Sequence, residues 1–506
     1  MRSFGGIAEI TGGVKQVKLS KLLEKLEYEV LNGNVDIDIK NLVYDSRKAG
    51  ALDVFVCVTG AVSDGHTYIS DVAGKGVLAI VVQKDIEVTE ELKDITLIKT
   101  ADTRYALALM SAAFFDYPAK KLKTIGITGT KGKTTTTFMI RDILEECNIK
   151  AGLIGTNETI IGDVHIPSKN TTPESFLIQK YFSQMVEAGC SCVVMEVSSQ
   201  ALMLNRTAGI LFDIGVFTNI EPDHIGPNEH ASFEEYMECK SRLFKQCVHG
   251  IGNADSEYFD KIMEGHTCTL ETYGIKNKAD LKAENIRYIH EGGNITTSYN
   301  TTGTRELNIK LTLPGEFSVY NSLCAIAVSE HFNVDDKLLL DALYNTRVAG
   351  RVEPVKVSDD FIVMIDYAHN AMSLESLLST LREYNPNRIV CLFGCGGNRS
   401  KLRRFEMGEV SGRMADLTII TSDNPRDEDP ALIMQDIETG IKKTSGSYVM
   451  IEDRGEAVKY AIEHGEKGDI IVLAGKGHED YQEIKGVRYH QTDKELVQKA
   501  MEELAR

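Results

Sequence analysis

Residues 123–135 restrict the fold of this chain more than any other stretch. The β-branched run KTIGIT (123–128) predicts a buried strand, and TTTTFMIRDILEECN (134–148) predicts an amphipathic helix. Gly129, Thr130, Lys131, Gly132, Lys133, Thr134 and Thr135 turn one into the other. Glycines let backbone N–H groups approach an anion, and the open N–H groups of a helix start favour negative charge there. The turn therefore reads as a phosphate-binding loop. Lys133 would reach the β- and γ-phosphates, and the Thr134 hydroxyl would face Mg²⁺. The loop is shorter than the full G-x-x-x-x-G-K-[ST] pattern, because Ile127 stands five residues before Gly132.

Strand-like and helix-like stretches alternate beyond this point. CVVMEV (192–197) and IGVFTNI (214–220) are strand candidates. Five more follow in the last third: IVMIDYAH, RIVCLFGCGG, ADLTIITSDN, SYVMIED and DIIVLAGKGHED. Helical stretches separate them, and DKELVQKAMEELAR closes the chain. The fold class is α/β, with a parallel sheet covered on both faces and a doubly wound last domain. Polar residues and glycines cluster at strand carboxyl ends, where such sheets bind ligands. At roughly 150 residues per domain, 506 residues suggest about three domains, with boundaries expected near 121 and 346.

Composition removes other classes. Lys+Arg 56 against Asp+Glu 74 leaves a formal charge of −18, which disfavours a phosphate backbone as partner. No run approaches the ~20 apolar residues that cross a bilayer, so no membrane partner is expected. The first twenty residues lack the apolar core of a signal peptide. The ten cysteines are scattered without metal-ligand spacing and read as reduced thiols packed as small hydrophobes, in the cytoplasm.

The loop GITGTKGKTTTT resembles the ATP loop of the Mur ligases and of the related folylpolyglutamate synthases. Further blocks stand in that family's order: DSR (45–47), NTTPES (170–175), MEVSSQAL (195–202), FTNIEPDH (217–224), ECKSRLF (238–244), LPGEFSVYN (313–321), AGRVE (349–353), DYAH (366–369), GCGGNR (394–399), TSDNPRDEDP (421–430) and GKGHE (475–479). The resemblance implies a three-domain Mur ligase architecture: an N-terminal UDP-sugar-binding domain (1–121), a central P-loop ATPase domain (122–346) and a C-terminal Rossmann-like amino-acid-binding domain (347–506). It implies a monomeric ATP-dependent amide ligase of cytoplasmic peptidoglycan precursor synthesis. TSDNPR is associated with members that add meso-2,6-diaminopimelate to the D-glutamate of UDP-N-acetylmuramoyl-L-alanyl-D-glutamate through an acyl phosphate.

The resemblance also implies site roles. Thr134, Glu196, His224 and Lys240, the last as a carbamate, would hold two Mg²⁺ ions, and Lys133, Glu196, His224 and Lys240 would be catalytic. Asn253, Asn321, Arg351, Asp366 and His369 would join the phosphate loop around ATP. Ser46, Asn170, Thr171, Thr172, Ser198 and Arg206 would hold the UDP-muramoyl dipeptide. Arg206 suits a carboxylate, which a guanidinium pairs bidentately. Arg404, Asn424, Arg426, Gly475 and Glu479 would recognise diaminopimelate, with Arg426 on its distal carboxylate and Glu479 on an ammonium. A lysine substrate would leave such an arginine unpaired, which gives a physical basis for discrimination.

Several blocks depart from the usual pattern: EPDHIGPNEH, DYAHNAMS, GGNRS and Leu204. A paralogous ligase adding L-lysine or another amine, and a non-catalytic nucleotide-sugar sensor, therefore stay open. A dinucleotide oxidoreductase is disfavoured, because GCGGNR is not G-x-G-x-x-G.

Overall fold

The computed structural model describes residues 16–60, 63–223, 225–226, 229–291 and 293–505. The chain divides into two units. The first runs to Lys131 and takes in Ile149–Gly250 and Glu257–Leu270; the second holds Gly132–Asn148, Ile251–Ser256 and everything from Glu271 on. The division falls inside the phosphate loop.

In the first unit, a five-stranded sheet runs in the order Glu29–Asn32, Thr96–Lys99, Ala79–Val82, Val54–Val56, Leu42–Val43. All its neighbours are parallel except Glu29–Asn32 against Thr96–Lys99. Strand side chains alternate between faces, and both faces are covered. Val54, Val56, Ala79, Val81 and Ile98 pack with Leu22, Leu107 and Met110. Phe55, Ile80, Val82 and Leu97 pack on the other side with Ile69 and Val72. Asp102 caps the helix Thr103–Phe114 by accepting the N–H groups of Arg104 and Tyr105.

The strand before the phosphate loop, Lys123–Thr128, lies between two parallel neighbours, Cys192–Glu196 and Phe212–Phe217. All five residues of Cys192–Glu196 are buried, so its apolar run is a strand covered on both faces. Beyond it come Ala151–Ile154, parallel, and the antiparallel hairpin Glu158–Ile161/Val164–Pro167.

The second unit contains the helix after the loop, Lys133–Glu146, packed on Glu316–Ser329 and Asp336–Asn345. It also contains an antiparallel meander, Leu281–Glu291, Asn294–Gly303 and Asn308–Leu311. The sequence pattern marks no strands in this stretch, so the meander is not anticipated by it. Its strands carry Thr, Asn and Ser, so they lack the continuous apolar run that marks a buried parallel strand.

The C-terminal sheet is the doubly wound one expected. Its order is Glu353–Val355, Ile362–Asp366, Ile470–Ala474, Ile389–Phe393, Leu417–Ile420, Ser447–Met450, parallel except at the first edge. The last strand in sequence, Ile470–Ala474, inserts between the first two of the parallel set. The carboxyl ends of DYAH, GKGHE, GCGG and TSDNPR thereby fall on four adjacent strands, as the ligand rule for such sheets requires. A hairpin the sequence did not announce, Tyr481–Ile484 with Val487–His490, follows GKGHE.

Of the ten cysteines, all free, nine are buried and Cys147 is half-buried. No helix among the described residues is long and apolar enough to cross a membrane.

Candidate active site

The first half of the phosphate loop is braced within the first unit. Gly129 has φ 153°, and a Cβ there would lie 1.9 Å from Thr218 Oγ1, so no side chain fits. Asn219 Oδ1 accepts the Lys131 N–H at 2.9 Å. The Lys131 carbonyl accepts from Thr218 Oγ1 at 2.7 Å and Asn219 Nδ2 at 3.0 Å. Glu221 pairs with Lys131 Nζ at 2.7 Å. FTNIE (217–221) therefore supports the loop from the end of the adjacent strand, a role the sequence reading did not assign to Thr218 or Asn219.

Lys240 is buried and donates to the Gly129 carbonyl at 2.9 Å. Its ammonium lies 4.5 Å from the ring centroid of Tyr236, whose hydroxyl meets Thr130 Oγ1 at 3.0 Å. Lys240 thus touches the loop at Gly129 through its ammonium. His224 lies outside the described residues.

Glu196 ends its strand fully buried. Its Oε1 accepts the Thr156 N–H at 2.8 Å and its Oε2 the Thr156 hydroxyl at 3.0 Å. Both donors are neutral, and among the described residues no cationic side chain lies within ion-pair distance of it. A buried carboxylate without counter-charge is costly unless a cation joins it. Oxygen donors of this kind fit Mg²⁺.

Residues expected to hold the nucleotide-sugar peptide gather beside Glu196. Thr172 Oγ1 donates to the Glu196 carbonyl at 2.8 Å and accepts the Ser198 N–H at 3.0 Å. Thr171 Oγ1 meets Thr156 Oγ1 at 3.1 Å. Ser198 caps the short helix Ser199–Met203. Arg206 donates to the Thr172 carbonyl at 2.9 Å and pairs with Glu174 at 3.0 Å. Arg104, not picked from sequence, takes the other Glu174 oxygen at 3.2 Å. Asn170 is exposed, and Ser46 stands apart in the turn Ser46–Lys48, its carbonyl accepting from Lys75.

In the second unit, Gly132 opens the helix of the loop at φ 83°, where a Cβ would meet Asn321 Oδ1 at 2.5 Å. Asn321 also accepts from Thr136 Oγ1 at 3.3 Å, so this asparagine sits directly against the helix start. Lys133 and Thr135 are half-buried and Thr134 is buried at that start. Asn253, buried, accepts the Asp255 N–H at 3.0 Å. Asp255 in turn accepts from the N–H groups of Ile275, Lys276 and Asn277 and from the Tyr320 hydroxyl. Burial pushes its pKa up, but these donors outweigh burial and hold it below the ordinary value.

Asp366 and His369 lie at the end of their strand. Asp366 accepts the N–H groups of Val352 and Ala368, both at 2.8 Å, and burial raises its pKa. Burial, and then the charges of Arg403 and Arg351, lower the pKa of His369. Arg351 lies 5.3 Å over the Tyr367 ring.

Four of the five residues read as diaminopimelate contacts share the rim of the C-terminal sheet. Asn424 Nδ2 donates to Glu479 Oε2 at 2.8 Å. Arg426, at φ 51°, donates to the Gly397 carbonyl at 2.7 Å, with Glu483 3.5 Å from its Nε. Gly475, at φ 103°, leaves its Cβ position 3.2 Å from Asp423 Oδ2. Arg404 differs. It is buried against both oxygens of Glu428 (2.8 and 2.9 Å) and against Asp436 (3.0 Å), and none of its hydrogen bonds reaches the other four. Its two bonds to Glu428 tie down the loop that carries Asn424 and Arg426.

Comparison with known proteins matches three family models along the chain. Residues 38–115 match the model described as Mur ligase family, catalytic domain; 127–329 match the Mur ligase middle domain; 350–477 match the Mur ligase, glutamate ligase domain. The UDP-N-acetylmuramoyl-L-alanyl-D-glutamate--2,6-diaminopimelate ligase 1 of Clostridium acetobutylicum is 42% identical over 491 residues, covering 96% of this chain and 100% of that protein. The corresponding ligase of Clostridium tetani is 41% identical over the same shares. A solved structure of a UDP-N-acetylmuramoyl-L-alanyl-D-glutamate--2,6-diaminopimelate ligase superposes with a TM-score of 0.73 at 27% identity, over 97% of this chain and 100% of that one.

Proposed function

The chain belongs to the Mur ligase family, and from that premise we propose that it joins meso-2,6-diaminopimelate to the D-glutamate of UDP-N-acetylmuramoyl-L-alanyl-D-glutamate at the expense of ATP. The observation that carries this reading is the shared rim of Asn424, Arg426, Gly475 and Glu479, from the ends of two strands that flank Ile389–Phe393. It offers cation, anion and amide groups to a substrate with an amino-acid centre at each end.

The reaction runs in two steps. The γ-carboxylate of D-glutamate attacks the γ-phosphorus of ATP, giving an acyl phosphate and ADP. An amine of diaminopimelate then attacks the acyl carbon; the tetrahedral intermediate expels phosphate, and the amine gives up its proton as the amide forms. No covalent enzyme nucleophile is needed, so the protein's share is orientation and charge stabilisation. We assign the triphosphate to the loop 129–135, with Lys133 neutralising charge as it develops on the transferred phosphoryl group. Asn253, Asn321, Arg351, Asp366 and His369 are assigned to the rest of ATP. The acyl substrate goes to Thr171, Thr172, Ser198 and Arg206, with Ser46 and Asn170 toward its nucleotide-sugar end. Glu196, Thr134, His224 and Lys240 as its carbamate would hold Mg²⁺, which when bound polarises the phosphates and draws the two anions together. Domains of 1–121, 122–346 and 347–506, acting as a monomer in the cytoplasm, complete the proposal.

Phosphate release with ATP, Mg²⁺, UDP-muramoyl dipeptide and each candidate amine in turn tests it. Release with diaminopimelate alone is the expected result. Release with lysine instead would move the chain to the lysine-adding ligases. Tight nucleotide-sugar binding without release under any amine would make it a sensor.

A further inference from the structure

Lys476 follows Gly475 in the GKGHE turn and is only 1% exposed. Three acceptors surround its Nζ: Asn424 Oδ1 at 3.2 Å, Glu479 Oε2 at 3.3 Å and the Tyr481 carbonyl. Asn424 Oδ1 also accepts the Glu483 N–H, at 2.9 Å. An asparagine amide has two ends of nearly equal shape, one a donor and one an acceptor. Here two donors on the same oxygen settle the orientation, and Nδ2 is left to face Glu479 Oε2 at 2.8 Å. With Oε2 taken twice, Glu479 keeps Oε1 as its open acceptor, and Asn424 keeps its second N–H as an open donor. A donor beside a carboxylate oxygen is the complement of an α-amino acid: the donor meets the carboxylate, and the acceptor meets the ammonium.

We propose that Lys476 is a positioning residue for the incoming amino acid, setting the Asn424 amide and the Glu479 carboxylate in the one orientation that accepts its zwitterionic centre. The inference rests on the diaminopimelate reading above. Lys476, 1% exposed, is given the role of orienting these two side chains rather than of meeting the substrate. A methionine would fill much the same space without the cost of burying an ammonium, so the charge needs a reason beyond packing. Orientation of two groups that present opposite chemistry is such a reason. A flipped Asn424 would aim its oxygen at the Glu479 carboxylate and offer the substrate an acceptor where it needs a donor.

The test is a double-mutant cycle in the phosphate-release assay, on the full chain with ATP, Mg²⁺ and UDP-muramoyl dipeptide. Lys476→Met is expected to raise KM for diaminopimelate about tenfold while KM for ATP and for the UDP-muramoyl dipeptide stays within about twofold. Asn424→Ala should act in the same direction, and the double variant should fall short of the product of the two single effects, because Lys476 works in part through Asn424. An unchanged KM for the amine, a parallel rise in KM for ATP, or effects that multiply would each overturn the proposal. Should Lys476→Met not fold, Lys476→Gln keeps one donor toward Asn424 and is expected to give a smaller rise; no rise overturns the proposal equally. A wild type that uses another amino acid but not diaminopimelate overturns the functional reading alone, and the cycle is then run with that amine. A wild type that uses no amine overturns both.

Discussion

The Asp366 carboxylate accepts the N–H of Val352 at 2.8 Å and holds that β-branched residue at φ 43°. A left-handed valine costs about 1–2 kcal/mol, so the turn AGRVE persists only while something compensates. Asp366→Ala is expected to lower stability by about 2–3 kcal/mol, read from the urea midpoint, with Asp366→Asn recovering at least half because its amide oxygen still accepts. A loss under about 0.5 kcal/mol in the alanine variant would mean that this bond does not hold the turn.

Gly129 has no room for a methyl group against Thr218 Oγ1. Gly129→Ala should cost about 2–3 kcal/mol and weaken ATP binding at least about tenfold, by thermal melts and calorimetry. Adding Thr218→Ala should restore part of both, since the clash goes but the backbone conformation does not. Wild-type ATP affinity in Gly129→Ala alone would refute the close packing of this loop.

Glu196 is a buried carboxyl group whose hydrogen-bond donors among the described residues are neutral. Glu196→Gln should leave metal-free stability unchanged or raise it by about 1 kcal/mol, because an uncompensated charge is removed. Mg²⁺ should raise the wild-type Tm by binding the native state, and should no longer do so in the variant. Equal Mg²⁺-dependent shifts in the two proteins would exclude Glu196 as a ligand.

Arg426 is held at φ 51° with its guanidinium on the Gly397 carbonyl. Arg426→Ala should raise KM for diaminopimelate at least about tenfold and change ATP affinity by less than about twofold. Equal losses for both ligands would contradict its placement at the amino-acid end.

Burial raises the Asp142 pKa to about 6, against the opposing hydrogen bond from Thr346. The folded state therefore holds this proton more tightly than the unfolded chain does. Stability from this group is present below the unfolded value of about 3.9 and is lost as pH rises toward 6. Asp142→Asn should thus be more stable than wild type at pH 7, with the gap closing below about pH 4. With 28% of the side chain exposed, a gap of about 1–2 kcal/mol is expected rather than the full ~3. Denaturant midpoints at pH 4, 5.5 and 7 measure it; a pH-independent gap would reject the assignment.

Local features of the chain were readable because short-range physics sets them. The strand 123–128, the helix that follows Gly132 and the five parallel strands of the last domain each follow from β-branched runs, glycine turns and helical periodicity. The meander 281–311 escaped because its strands are mixed in polarity and one carries a bulge between Glu284 and Arg287. Arg404 lies in the helix Lys401–Met414, and its partners Glu428 and Asp436, 24 and 32 residues away, are not legible from its sequence neighbours. Lys476 carried no signal at all, since a lysine in a glycine-rich turn reads as a solvated loop residue until its burial is seen.

Residue order alone determined the α/β class, the phosphate loop and the kind of chemistry its lysine and threonine can support, because these depend on contacts within one strand, one turn and one helix. Tertiary structure decided which partner each polar group takes. Lys240 reaches Gly129 across 111 positions, and Asn424 meets Glu479 across 55. Such pairings arise only when separate strands are brought into register, and the low dielectric of the interior then makes each choice of donor and acceptor binding on the next.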